Sequence, residues 1–171
     1  MLGYVTVDGV GAADMLLAEV ALALRARGWP LAGAVQFNPD GARNGKCHMD
    51  LHLLASHDVV RISQDLGPLS RGCRLDPEGL EHAAGLAETT LSAPTRVRLA
   101  IVNKFGKTEI DGRGFRPFIG RALAQGVPVL TAVGPAHFPA FHAFAEDLAE
   151  PIEPRLEAVL SWADAASTEP A

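Results

Sequence analysis

The chain has 171 residues and a mass of 18.0 kDa, which suits one domain and leaves little room for two. Hydrophobic residues make up 48% and charged residues 20%, enough to build a normal core and unlike a disordered tail or a fibre. Fifteen basic residues against 20 acidic ones give a net charge of −5, the wrong sign for a duplex-binding face, and no apolar run approaches the ~20 residues of a membrane span, so neither nucleic acid nor a membrane is an expected partner.

Residues 2–7 form a short apolar run that stops at Asp8-Gly9 and predict a buried strand. Residues 12–27 are rich in Ala and Leu and predict a helix closed by Gly28. Residues 31–37 predict the next strand, so the chain opens as a β-α-β unit with parallel strands. Residues 38–46 are rich in turn formers. Met49, Leu51 and Leu53 then alternate with Asp50 and His52, which predicts a half-exposed strand with His48 and His52 on its solvated face. With the run at 59–62 it makes an antiparallel addition to the sheet.

Residues 66–75 read as a loop, and a helix over 77–91 follows, with Asp76 as cap and Pro77 in its first turn. Residues 97–102 and 127–133 predict buried strands, and 115–125, 139–148 and 154–165 predict helices. Residues 1–166 are expected to form one domain, with a frayed tail at 167–171. The alternation implies an α/β three-layer sandwich with a mostly parallel sheet. In such sheets ligands lie beyond the carboxyl ends of the strands, here residues 8–14, 37–46 and 103–116.

The first of these segments reads Thr6-Val7-Asp8-Gly9-Val10-Gly11-Ala12-Ala13-Asp14. Against the phosphate-loop pattern, Gly11 matches the second glycine, Thr6 replaces the first, Ala12 replaces the lysine and Ala13 the hydroxyl residue. The lysine normally reaches the phosphates and the hydroxyl holds Mg²⁺, and alanine does neither. Backbone N–H groups of Gly9, Val10, Gly11, Ala12 and Ala13 remain able to face an anion, against the charge of Asp8 and Asp14. A tight strand-to-helix turn without a ligand accounts for the same residues.

The run Leu99-Ala100-Ile101-Val102-Asn103-Lys104-Phe105-Gly106-Lys107-Thr108-Glu109 resembles the second strand and loop of a nucleoside-triphosphatase family of P-loop proteins. In that family an apolar strand leads into Asp-Glu-Ile-Gly-[Lys/Pro]-Met-Glu. Gly106, Lys107 and Glu109 agree with it, as do Gly28 and Gly33 upstream. Asn103 stands where the family has its Mg²⁺-organising Asp, and Lys104 where it has its catalytic Glu. From residue 2 to about 148 the chain also resembles a bacterial family of unknown function whose members tend to be encoded beside molybdate-uptake genes. That resemblance is carried by Ile62-Ser63-Gln64-Asp65-Leu66-Gly67, Gly72-Cys73-Arg74-Leu75-Asp76-Pro77, Val102-Asn103-Lys104-Phe105-Gly106-Lys107, Gly112-Arg113-Gly114 and Gly126-Val127-Pro128-Val129-Leu130-Thr131. It implies a degenerate P-loop-like fold and a role in molybdenum-related metabolism.

With the magnesium ligands replaced and Lys104, Lys107, Arg113 and Arg116 close in sequence, the expected ligand is a small dianion such as molybdate, sulfate or phosphate, or a nucleotide held without turnover. Asn103 and Glu109 complete the expected site. No catalytic residue, metal or cofactor is assigned. Surface pairing of these cations with Glu109 and Asp111 is the competing account. Two other functions stay open: residual NTP hydrolysis or phosphotransfer using Lys104, Lys107 and Glu109, and a dimeric interaction protein with a vestigial site. Trp29, Phe37, Phe105, Phe115 and Phe118 are expected in the core or at an interface; in the interaction protein, Phe105 at an exposed loop tip would make the homodimer contact.

Cys73, between Arg71 and Arg74, is a candidate reactive thiol, and Cys47 a buried one. Neither these cysteines nor His48, His52, His57, His137 and His142 show metal-ligand spacing. Two cysteines, and a start without a basic stretch and long apolar core, give a cytoplasmic location as the expectation.

Overall fold

The structure, a computed structural model, describes residues 1–37, 48–64, 75–93 and 96–168. Its elements in chain order are β1 (Leu2–Val5), α1 (Ala12–Ala26), β2 (Leu31–Phe37), β3 (Asp50–Leu53), β4 (Val59–Arg61), α2 (Pro77–Thr90), β5 (Leu99–Phe105), α3 (Lys107–Ile110), α4 (Arg116–Ala124), β6 (Val129–Val133), α5 (Phe138–Ala145), β7 (Ala149–Pro151) and α6 (Leu156–Ala166). The seven strands form one sheet in the order β4-β3-β2-β5-β6-β1-β7. Pairing is parallel from β2 through β7, and β3 and β4 add to the β2 edge antiparallel.

The parallel strands are covered on both faces, which explains their near-continuous apolar runs. On one face Leu17, Val20 and Leu24 of α1 and Val159 and Trp162 of α6 pack on Val5, Ile101 and Leu130. On the other, Leu80 of α2, Phe118 of α4 and Phe141 of α5 pack on Leu2, Val102 and Val129. The expected three-layer α/β architecture is therefore present, antiparallel pair included. Asp76 caps α2 as anticipated, its Oδ1 accepting the Glu78 N–H at 3.1 Å.

Several boundaries differ from the sequence reading. β5 begins at Leu99 and runs to Phe105, so Asn103 and Lys104 are strand residues; their polarity hid the continuation, and a register shift separates Val102 from Phe105. Phe105 is fully buried, not exposed at a loop tip, with its ring 5.2 Å from Phe141 and 5.3 Å from Phe144. β7 was missed because Ala149-Glu150-Pro151 carries no apolar run, yet it pairs parallel with β1. The late helix occupies only Phe138–Ala145, preceded by a 3-10 turn at Pro135–His137 and followed by another at Glu146–Leu148.

His52 is half-buried rather than fully solvated, with its ring 4.5 Å from that of Phe37. Asp50 is buried and accepts two hydrogen bonds from the Arg61 guanidinium, at 2.9 and 3.1 Å, which lowers its pKa. The backbone N–H groups of Ser167 and Thr168 donate to the Ala163 and Ala165 carbonyls at the end of α6. The loop expected at 38–46, Cys47 and all but Leu75 of the loop expected at 66–75 lie outside the described residues, as do 65, 94–95 and 169–171.

Two glycines in the β2 region show how backbone geometry fixes residue choice. Gly33 has φ +92°, and a Cβ there would collide with the Ile101 carbonyl of the paired strand. Gly28 ends the α1 turn at φ +74° with open space around it. Gly33→Ala is therefore expected to cost at least about 2 kcal/mol in urea unfolding, and Gly28→Ala only about 1 kcal/mol.

Candidate functional site

The segment after β1 returns the chain into α1 through two glycines in the left-handed region, Gly9 (φ 104°) and Gly11 (φ 76°). Thr6 Oγ1 donates to the Val133 carbonyl at 3.0 Å and ties the start of the loop to the end of β6. Gly11 occupies the N-cap of α1, where no side chain satisfies the first N–H groups. Asp8, Gly9 and Val10 are exposed, while Ala12 and Ala13 are half-buried in the first turn.

Asp14, in that first turn, is only 7% exposed. Its carboxylate is favoured there by the positive end of the helix dipole. Asn103 of β5, also buried, donates from Nδ2 to Asp14 Oδ1 at 2.9 Å, and its Oδ1 accepts the backbone N–H of Gln36 at 2.9 Å. Gln36 Nε2 donates in turn to Asp14 Oδ2 at 3.4 Å. The end of β2, the end of β5 and the start of α1 thus converge on one buried carboxylate–amide network, and the first and third predicted segments lie side by side.

A P-loop fold implies a magnesium–nucleotide complex, and the residues present do not fit one. Ala12 offers no ammonium and Ala13 no hydroxyl. Both polar ends of the Asn103 side chain are engaged within the protein. Asp14 retains a carboxylate, but it accepts from two side-chain amides.

On the far side of β5 the lysines behave differently from the arginines. Lys104 and Lys107 are exposed. Arg116 donates to the Glu109 carbonyl at 3.2 Å and lies 4.5 Å from the centre of the Phe144 ring, so its guanidinium is committed to the fold. Arg113 is exposed and faces Asp111 at 4.0 Å. Glu109 pairs with no cation side chain among the described residues. It is 4% exposed, and its carboxylate accepts the N–H of Gly106 at 3.0 Å and that of Phe115 at 3.1 Å. These bonds fold the segment 106–115 around one side chain. Burial raises the Glu109 pKa above its ordinary value of 4.5, and the two backbone donors oppose that rise.

A cavity of about 400 Å³ opens between the ends of β2 and β5, the antiparallel pair, α2 and α3. Its polar lining includes Gln36, Asn103, Lys104, Lys107 and His137, with Glu109 behind them. Residues 8–13 do not line it. The expected site therefore divides: Asn103, Lys104, Lys107 and Glu109 border the cavity, the glycine loop lies on the α1 side, and Arg113 stands apart. Cys73 lies outside the described residues.

His137 was not expected here. Its Nδ1 is buried and has no hydrogen-bond partner among the described residues. The signal available was its place just beyond the end of β6, since that rule directs attention to every strand end. Among the described residues no three His, Cys, Asp or Glu side chains are placed to hold a metal, and no helix is long and apolar enough to cross a membrane.

A mostly parallel sheet with helices on both faces, opening with a strand, a glycine loop and a helix, defines a P-loop-like α/β domain. Within that class, the chain belongs to the family described as protein of unknown function, DUF2478, which it matches over residues 2–162. It is also 32% identical, over 149 residues, to the molybdenum import ATP-binding protein ModC 2 of Bradyrhizobium diazoefficiens. The aligned region is 87% of this chain but 16% of that relative. No solved structure shows a significant match.

Asn103→Asp sets a second carboxylate against Asp14. It is expected to lower stability by about 2–4 kcal/mol near neutral pH. Urea unfolding of the two proteins at neutral pH measures the loss. For Glu109 the raised pKa means that ionisation opposes folding. Its contribution is full below about 4.5 and falls as pH rises through the folded-state value. Comparing urea midpoints of the wild type and Glu109→Gln upward from pH 4.5 should show this decline in the wild type alone.

Proposed function

We propose that this protein binds an oxyanion-bearing ligand, a small oxyanion such as molybdate or a nucleotide, without splitting a phosphoanhydride bond. The observation that carries this reading is the engagement of Asn103 with Asp14 and Gln36 at the point where a P-loop enzyme organises its metal. Ala12 and Ala13 support it by supplying neither of the groups that act on the phosphates. Lys104 and Lys107, exposed on the border of the cavity, supply the positive charge that a dianion needs. A connection with molybdenum metabolism is supported by the similarity to the molybdenum import protein. The same similarity, with the fold, keeps a nucleotide among the ligands to be tried.

The test is calorimetry with molybdate, sulfate, phosphate, ADP and ATP, with and without Mg²⁺. At least one of these should bind, and the Lys104→Ala/Lys107→Ala protein should bind it about tenfold or more weakly. At 100 times its Kd the ligand should add about 2.7 kcal/mol of stability, visible as a higher melting temperature. Magnesium-dependent ATP or GTP turnover that disappears in Lys104→Ala would reverse the reading in favour of an enzyme. A melting temperature unmoved by every ligand would favour an interaction protein.

A further inference from the structure

The cavity beside Lys104 and Lys107 is not shaped for a bare inorganic ion. Leu51, Ile62, Leu80, Val102 and Phe115 line it and are all buried. Met49 and Leu75 extend the apolar lining and are only half-buried. At about 30 Å³ per molecule, a space of about 400 Å³ corresponds to roughly a dozen waters, many of them against hydrocarbon. A tetrahedral oxyanion would fill a small fraction of it and leave the apolar walls wet. A concave, mainly apolar site of this size with a few polar groups is instead the usual form of a small-molecule site.

Two ammonium groups suit a dianion, and the apolar walls suit a ring. From this combination we infer that the ligand is a small organic phosphate, with an aromatic or heteroaromatic ring held among Leu80, Val102 and Phe115 and the phosphate held by Lys104 and Lys107. The inference rests on the anion-binding reading above and adds the chemistry of the ligand's body.

The experiment measures binding of phenyl phosphate, adenosine monophosphate, inorganic phosphate and molybdate to the full chain by calorimetry. At least one of the two ring phosphates is expected to bind about tenfold or more tightly than either inorganic ion, as burial of one ring would give. Met49→Asp and Leu75→Asp change half-buried wall positions, and their folding is checked by thermal melts. Each should weaken the ring phosphate by a factor at least about fivefold larger than it weakens inorganic phosphate. Lys104→Ala/Lys107→Ala should weaken both classes.

Equal affinity for ring phosphates and inorganic ions, or equal losses of both in the wall variants, overturns the inference and leaves the anion-binding reading standing. Ring phosphates that bind tightly but ignore the lysine pair overturn it as well. Absence of binding by every probe removes the anion-binding reading and the inference together.

Discussion

The hydrogen bond between Asn103 and Asp14 is the constraint on which the arrangement of the site depends. β6 lies between β5 and β1 in the sheet, so the loop after β1 and the end of β5 are not strand neighbours. They are joined because a buried carboxylate in the first turn of α1 requires donors, and the Asn103 and Gln36 amides provide them. The Gln36 N–H donates to the other end of the Asn103 amide, so the end of β2 is drawn into the same network. Removing any member leaves a buried polar group without its partner, which costs more than the bond contributed.

This network also separates two sides of the strand ends. On the α1 side is a glycine loop with exposed backbone and no cation of its own. On the other side are Lys104 and Lys107, and behind them Glu109 with both oxygens committed to backbone N–H groups. Because Glu109 holds Gly106 and Phe115 together, Lys107 is carried on a clasped turn rather than a free loop. The backbone on either side of Lys107 is thereby fixed.

Much of the fold was legible because the parallel strands are buried on both faces and read as unbroken apolar runs. Where burial and apolarity part company, the reading failed. Asn103 and Lys104 continue β5 although they are polar, since one bonds to α1 and the other is exposed within the register shift between β5 and β6. β7 is held by backbone pairing to β1 and by the Trp162 indole N–H donating to Glu150 at 2.9 Å, neither of which shows as an apolar run. Asp50 and His52 were assigned to solvent by alternation, but Arg61 and Phe37 give them partners that a polarity pattern cannot reveal. At the site, the resemblance pointed to the residues of β5 and the segment after it. The cavity itself was not legible, because Leu51, Ile62, Leu80 and His137 converge only through the topology of the sheet.

The antiparallel pair beside β2 has a bearing on how such a protein diversifies. Leu51, Ile62 and Leu80 all belong to the stretch of chain between β2 and β5, whereas Gln36, Asn103, Lys104 and His137 come from the carboxyl ends of the parallel core. One stretch shapes the space and the other supplies charge. Were the cavity to hold the ligand proposed above, substitutions in the first stretch would retune which molecules fit without disturbing the scaffold, so proteins sharing one frame would part ways in selectivity through a single interchangeable module.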